Sequence, residues 1–252
     1  MKPGGFRFKR TIRLVQASGA LARSLEELLA EVESADDATL FYHVYEAPLR
    51  DPGASEAPPD HFTAWCEHVL MDREAAERLA FAALFRAPTM VGLRATLLGA
   101  LGQLCRSGRG SRPAPEGRGL GLQCWQTLAL ESGMTAADPA EAVECVAALG
   151  AEEFLYHLRE VPLLDSGSAD DLLYWLEGMG AVRMARAAAP ERSPATGLRA
   201  ARSRVLRSWR SSGIGLRIAE RGDTPEARRP GEAREMVSRL LRDWGRGGEL
   251  LP

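Results

Sequence analysis

Two tyrosine–histidine pairs, Tyr42-His43 and Tyr156-His157, carry the most chemistry in this chain. An imidazole titrates near neutral pH and can hold or pass a proton, and the adjacent phenol adds a hydrogen-bonding group on a ring. Trp65 and Trp175 offer either stacking platforms or core anchors. Arg94 and Arg199 offer fixed cations for an anion or a neighbouring acid. Tyr42, His43, Trp65, Arg94, Tyr156, His157, Trp175 and Arg199 are therefore the candidate ligand-binding residues. The competing reading is structural: a histidine tied to backbone, with tyrosine packed beneath it, has to be rebuilt wherever the same contact recurs. No catalytic residue, metal ligand or cofactor is expected. His61 and His68 stand two helical turns apart, too far for adjacent ligation, and Cys66, Cys105, Cys124 and Cys145 form no C-x-x-C pair. The chain also lacks a G-x-x-x-x-G-K-[ST] loop, a G-x-S-x-G elbow and H-E-x-x-H.

The elements that position these residues show self-similarity. Leu40–Asp51 (LFYHVYEAPLRD) reads onto Phe154–Asp165 (FLYHLREVPLLD), Trp65 onto Trp175, and Gly92-Leu-Arg-Ala95 onto Gly197-Leu-Arg-Ala200. Two degenerate tandem copies are the expectation. They give helical module one over 1–105, a Gly/Pro/Arg linker over 106–121, helical module two over 122–210, and a basic tail over 211–252 holding a short amphipathic helix. The expected fold is mainly α, with about five helices per module and the modules related by a pseudo-two-fold. A short strand can open each module, because Phe6, Phe8, Ile12 and Leu14 alternate with polar residues, as do Leu122, Cys124, Leu128 and Leu130.

Helix boundaries follow from caps. Ser24 precedes a helix from Leu25, Asp138 one from Pro139, Asp60 one carrying Phe62 and Trp65, and Asp170 one carrying Leu172 and Trp175. Helices over Thr39–Ala47 and Glu152–Val161 are each expected to stop at a proline. Further helices are read over Arg73–Leu84, Met90–Cys105 and Ala195–Trp209.

The net charge of -2 conceals basic ends around an acidic centre. An arginine-rich helix (Arg199, Arg202, Arg204, Arg207, Arg210) makes nucleic acid a lesser alternative as partner. Another protein is the expected partner, captured by an inter-module groove or by the apolar stripe Met236, Leu240, Leu241 and Trp244. No apolar run is long enough to span a membrane, so no membrane insertion is expected, and the scattered cysteines point to a cytoplasmic location.

Tyr42-His43, the block Pro58-Pro59-Asp60-His61-Phe62-Thr63-Ala64-Trp65, Ala76-Glu77-Arg78-Leu79 and Leu93-Arg94 together resemble domain of unknown function 5752. Asp60 and His61 stand where that family shows Asn-Asp, and the second copy lacks both prolines and the Glu-Arg-Leu stretch. The resemblance implies a module without an assigned reaction. The expected function is noncatalytic binding, scaffolding or regulation. The alternative is a carbohydrate- or phosphometabolite-binding protein or enzyme with a Tyr-His/Trp/Arg pocket.

Overall fold

The structure, a computed structural model, describes residues 4–53, 59–84 and 89–211. Two long strands dominate its design. Strand β1 (Phe6–Ala22) pairs antiparallel with β2 (Leu120–Ala136), so that Phe6 faces Ala136 and Ala22 faces Leu120. The ladder is interrupted twice by the same device. Arg7 pairs with Thr135 and Lys9 with Glu131, leaving Phe8 opposite Ser132, Gly133 and Met134; likewise Leu122 lies opposite Ser18, Gly19 and Ala20. Each glycine sits at positive φ, +83° at Gly19 and +80° at Gly133, a conformation open to glycine at little cost. Each serine closes its bulge. Ser18 Oγ donates to Leu122 O (2.9 Å) and accepts from Ala20 N, while Ser132 Oγ donates to Phe8 O (2.6 Å) and accepts from Met134 N.

Helices follow each strand. After β1 come α1 (Leu25–Ser34), α2 (Asp37–Tyr45), α3 (Ala47–Arg50), α4 (His61–His68), α5 (Arg73–Leu84) and α6 (Met90–Leu104). A π-turn at Cys105–Arg109 leads towards β2. After β2 come α7 (Pro139–Ala148), α8 (Ala151–Leu155), a π-helical turn at Tyr156–Glu160, α9 (Val161–Leu164), α10 (Leu172–Gly178), α11 (Val182–Ala188), a 3-10 turn at Ala189–Arg192, and α12 (Leu198–Trp209). The capping logic holds at α1, α4 and α7, where Ser24, Asp60 and Asp138 accept backbone N–H groups. At α10 the cap is Asp171, not Asp170. The prolines at 48 and 162 lie in the first turns of α3 and α9, where a missing N–H costs nothing, and the expected stop at each is corrected: the backbone stays helical through Glu46 into α3 and runs from α8 through the π-helical turn into α9 without a break.

The expectation of a mainly helical pair of modules is corrected here. The fold is mixed α/β, and its two strands belong to one shared sheet. Residues 1–212 form one compact unit. The exchange between its parts is explicit: Trp65 Nε1 donates to Arg118 O (3.0 Å) just before β2, and Trp175 Nε1 donates to Gly4 O (2.7 Å) just before β1. Residues 106–121 are tied to that unit. Glu26 N donates to Gly110 O, Ala114 N to Arg23 O, and Arg109 pairs with Asp72 and Glu74.

The strand alternation is also corrected. Phe6 and Phe8 are buried, but Ile12 and Leu14 are 48% and 49% exposed and Thr11 is buried instead. Leu128 and Leu130 are exposed likewise, whereas Trp125 is buried. Ile12 pairs directly with Leu128, so these four apolar side chains share one outward face. The bulge beside Phe8 bends the ladder, and the cover changes sides along it.

Candidate functional site

Asp36 caps α2 by accepting from Thr39 N (2.7 Å), and the helix then buries Tyr42 and His43 together. His43 Nε2 accepts the edge N–H of Gln123 on β2 (3.0 Å). A backbone N–H can only donate, so Nε2 is unprotonated and Nδ1 carries the hydrogen. Nδ1 faces Nδ1 of His61 at 3.1 Å and donates to it. His61 must then hold its own hydrogen on Nε2, which lies 3.1 Å from Oε2 of Glu46. That oxygen also receives Arg50 Nε at 2.8 Å. A directed chain therefore runs from the β2 backbone through two imidazoles to a carboxylate and a guanidinium. Burial, and then the neighbouring His61, press the His43 pKa down to about 3. The hydrogen bond from His61 holds the Glu46 carboxyl below its usual range against the opposing effect of burial. Tyr42 OH donates to Gln123 Oε1 (3.0 Å), so the same residue of β2 is held by backbone and side chain.

His157 performs the first of these steps on the other strand. Its Nε2 accepts Lys9 N of β1 (2.9 Å), and Nδ1 donates to Asp170 O (3.3 Å). Burial depresses its pKa to about 4. Tyr156 OH donates to Asp170 Oδ2 (2.9 Å); burial, followed by that bond, raises the phenol's pKa.

The remaining expected site residues are dispersed. Trp65 and Trp175 are buried, with the indole N–H of each spent on backbone carbonyl oxygens. Arg94 donates to Val32 O (2.7 Å) and Glu33 O at the end of α1 and pairs with Asp37 (2.7 Å), which completes a helix C-terminus. Arg199 lies exposed on α12. Met236, Leu240, Leu241 and Trp244 lie outside the described residues. Among the described residues no group of three or more His, Cys, Asp or Glu side chains is placed to hold a metal ion, and no helix is long and apolar enough to cross a membrane.

What does form is a cleft of about 410 Å³ against the middle of the sheet, with Tyr42, Glu46, Thr11, Arg13, Trp125 and Glu152 among its lining. Arg13 is its central residue. The guanidinium lies 4.8 Å above the Trp125 ring and is 7% exposed. Its Nη1 reaches Glu152 Oε2 (3.1 Å), and its Nη2 reaches Glu160 Oε2 (2.9 Å). Glu160 is itself buried and also accepts the hydroxyl of Thr127. Among the described residues, Arg13 Nε and Trp125 Nε1 are buried and have no acceptor. A buried donor without a partner costs about 1–3 kcal/mol, so the packing of Arg13 on Trp125 is held against that cost.

Sequence reasoning missed this cleft. Arg13 reads as one more cation on a basic strand, and Trp125 falls on the polar phase of the alternation. The one available signal is the single aromatic residue of β2, a tryptophan interrupting small and polar neighbours. In the sequence His61 has only His68 nearby, two turns away; its partner, His43, comes from the earlier helix α2.

A family model described as a family of unknown function, DUF5752, matches residues 3–198. The chain belongs to DUF5752. The match spans both strands and reaches the start of α12, so the sheet, the cleft and both histidine clamps all lie within the DUF5752 region. The chain is similar to the solved structure of OrfY from Thermoproteus tenax, at 25% identity and a TM-score of 0.66, covering 83% of this chain and 96% of that one. No curated protein matches it.

Proposed function

We propose that this DUF5752 chain is a noncatalytic, ligand-sensing protein that receives a small polar molecule in the cleft beside Arg13. The observation that carries this reading is the cleft itself, about 410 Å³ of space that brings Tyr42, Glu46, Arg13, Trp125 and Glu152 together against the sheet. The histidines support it from the other direction. Both nitrogens of His43 and both of His61 are engaged with protein groups. A general base needs a free lone pair facing its substrate, and neither ring offers one. Regulation follows from position, because Tyr42 and Glu46 line the cleft and connect to Gln123 on β2 directly or through the imidazole chain.

The test is a screen of small metabolites by thermal shift on the full chain and on Trp125→Phe, which removes the indole N–H and keeps most of the ring. Compounds that stabilise the parent and lose that effect in the variant support the reading. A complete absence of stabilising compounds, or equal stabilisation of both proteins, refutes it.

A second reading, contact with another protein, is favoured by the outward apolar face of Ile12, Leu14, Leu128 and Leu130. Substituting Leu14→Asp should abolish partner capture from a cell extract while leaving the unfolding midpoint within a few degrees; unchanged capture would remove the sheet face from consideration.

A further inference from the structure

We propose that the exposed arginine stripe of α12 binds the phosphate backbone of duplex DNA without reading its sequence. None of its residues lines the cleft, so this surface and the ligand reading above are tested separately.

Between Val182 and Arg210 the chain places eight arginines against one acid, Glu191. Three of the eight are spent on the fold. Arg204 forms a two-point pair with Glu191, Arg202 donates to Leu149 O at the end of α7, and Arg192 donates to Ala189 O. Of the other five, Arg183 and Arg186 are exposed on α11, and Arg199, Arg207 and Arg210 are exposed on α12 or at its C-cap. None of the five forms an ion pair among the described residues. Helix geometry gathers the last three. At about 100° per residue, Arg199, Arg207 and Arg210 fall within an arc of about 80°, opposite the buried Leu198, Ala201, Val205 and Trp209. They extend over about 16 Å of helix axis.

The helix does not need these three to fold. Helix α6 opens on the same Gly-Leu-Arg-Ala as α12, and its Arg94 is spent on the carbonyl groups that end α1. On α12 the matching task, at the end of α7, falls to Arg202, which leaves Arg199 to solvent. Further along, α6 and its C-cap carry Gly102 and Cys105 where α12 and its C-cap carry Arg207 and Arg210. Like charges on neighbouring turns repel, a small cost that the negative end of the helix dipole offsets only in the last turn.

Unpaired guanidinium groups whose single local acid is already engaged call for a polyanion. Their surroundings select its kind, because no large apolar side chain is exposed between Val182 and Arg210. An anionic membrane held through an amphipathic helix takes up an apolar face, and that of α12 is already buried in the protein. A stable protein interface is anchored by aromatic or aliphatic side chains, and none stands on this surface. Single-stranded nucleic acid uses exposed rings as stacking platforms, which are missing here too. Duplex phosphates ask only for cations and N–H donors along a line. A stripe about 16 Å long can meet phosphates on both sides of a major groove about 12 Å wide.

Fluorescence anisotropy of a short labelled DNA duplex of mixed sequence, titrated with the full chain, tests this. Neutralising three phosphates gives a slope of about -2.7 in log affinity against log salt, so binding should weaken about 40-fold between about 50 and about 200 mM salt. Arg199→Ala, Arg207→Ala and Arg210→Ala together keep helix propensity high; they should weaken low-salt binding at least about 10-fold and leave the unfolding midpoint within a few degrees. Lysine at the same three positions should keep most of the binding, since each phosphate contact needs a point charge. Arg7→Ala with Arg10→Ala, which removes exposed cations of β1, should leave it unchanged. Should the alanine triple lose its fold, Arg207→Ala alone decides: the salt slope should become shallower by about 0.9, and an unchanged slope overturns the proposal. No binding of the duplex at low salt, or binding that a folded alanine triple leaves intact, also overturns it. So does tighter binding to a single strand of the same length, or to vesicles of phosphatidylserine and phosphatidylcholine, than to the duplex.

Discussion

The surroundings of His43 and His157 begin alike and end differently. Each imidazole is buried, each accepts one edge N–H of a strand through Nε2, and each has a tyrosine beside it and a tryptophan that grips backbone just ahead of that strand. Beyond that point they part. At His157 the second nitrogen stops on the carbonyl of Asp170 and the tyrosine stops on its carboxylate. At His43 the second nitrogen continues through His61 to Glu46, at the wall of the cleft. The helix differs as well: Tyr42 and His43 lie in regular α-helix, Tyr156 and His157 in a π-helical turn. The shared part is a clamp that holds a strand, and the added part is a line of side chains from that clamp to a surface. A residue pattern repeated in a sequence thus identifies the clamp, while the unrepeated residue beside it, His61, marks where the molecule has something further to do.

Acid should expose the shared half of this comparison most strongly. Both histidines have folded-state pKa values, about 3 and about 4, below the ordinary value of 6.5. Their stabilisation is complete above pH 6.5 and is lost as pH falls from there towards the folded values, because the unfolded chain takes up protons that the folded one refuses. The expected loss between pH 7 and pH 4 is ~3 kcal/mol per histidine, read from urea unfolding across that range. A His157→Gln variant should lose part of that pH dependence; an unchanged slope would mean that His157 is not held neutral.

The bulges give the next largest effect. Gly19→Ala and Gly133→Ala each meet open space for the new methyl but force a positive φ, so each should cost about 1–2 kcal/mol. Equal costs would show that the two bulges bear equally on the sheet; a loss at only one would show which clamp depends on its bend. The smallest effect separates the two clamps. His61→Ala removes the acceptor for His43 Nδ1–H at a partly exposed position, and about 1 kcal/mol of stability should go with it. A loss as large as that of His157→Gln would mean that the extension is part of the clamp.

The helical half of the fold was readable in advance because capping is local. Ser24, Asp60 and Asp138 announce helices within three residues of themselves, and α5 and α7 have the bounds that their apolar spacing implies. The doubled Tyr-His was visible for the same reason. The sheet was not, because strand pairing is non-local and the alternation of β1 predicts burial of Ile12 and Leu14, which face outwards. Nothing near Asp170 distinguishes it as the acceptor for Tyr156 while Asp171 caps α10. The cleft was equally hidden: Arg13 and Trp125 meet only because the register sets Arg13 opposite Thr127 and Val15 opposite Trp125.

The crossing of each strand to the far side of the molecule also has a temporal meaning. A ribosome delivers β1 first, yet the imidazole that receives Lys9 is residue 157, and the indole that holds Gly4 is residue 175. The helices that follow β1 are made complete only when Arg118 and Gln123 emerge. The opening segment must therefore stay uncommitted through most of translation, and a nascent chain halted near residue 110 should be readily cut by protease in the stretch that later becomes the centre of the sheet.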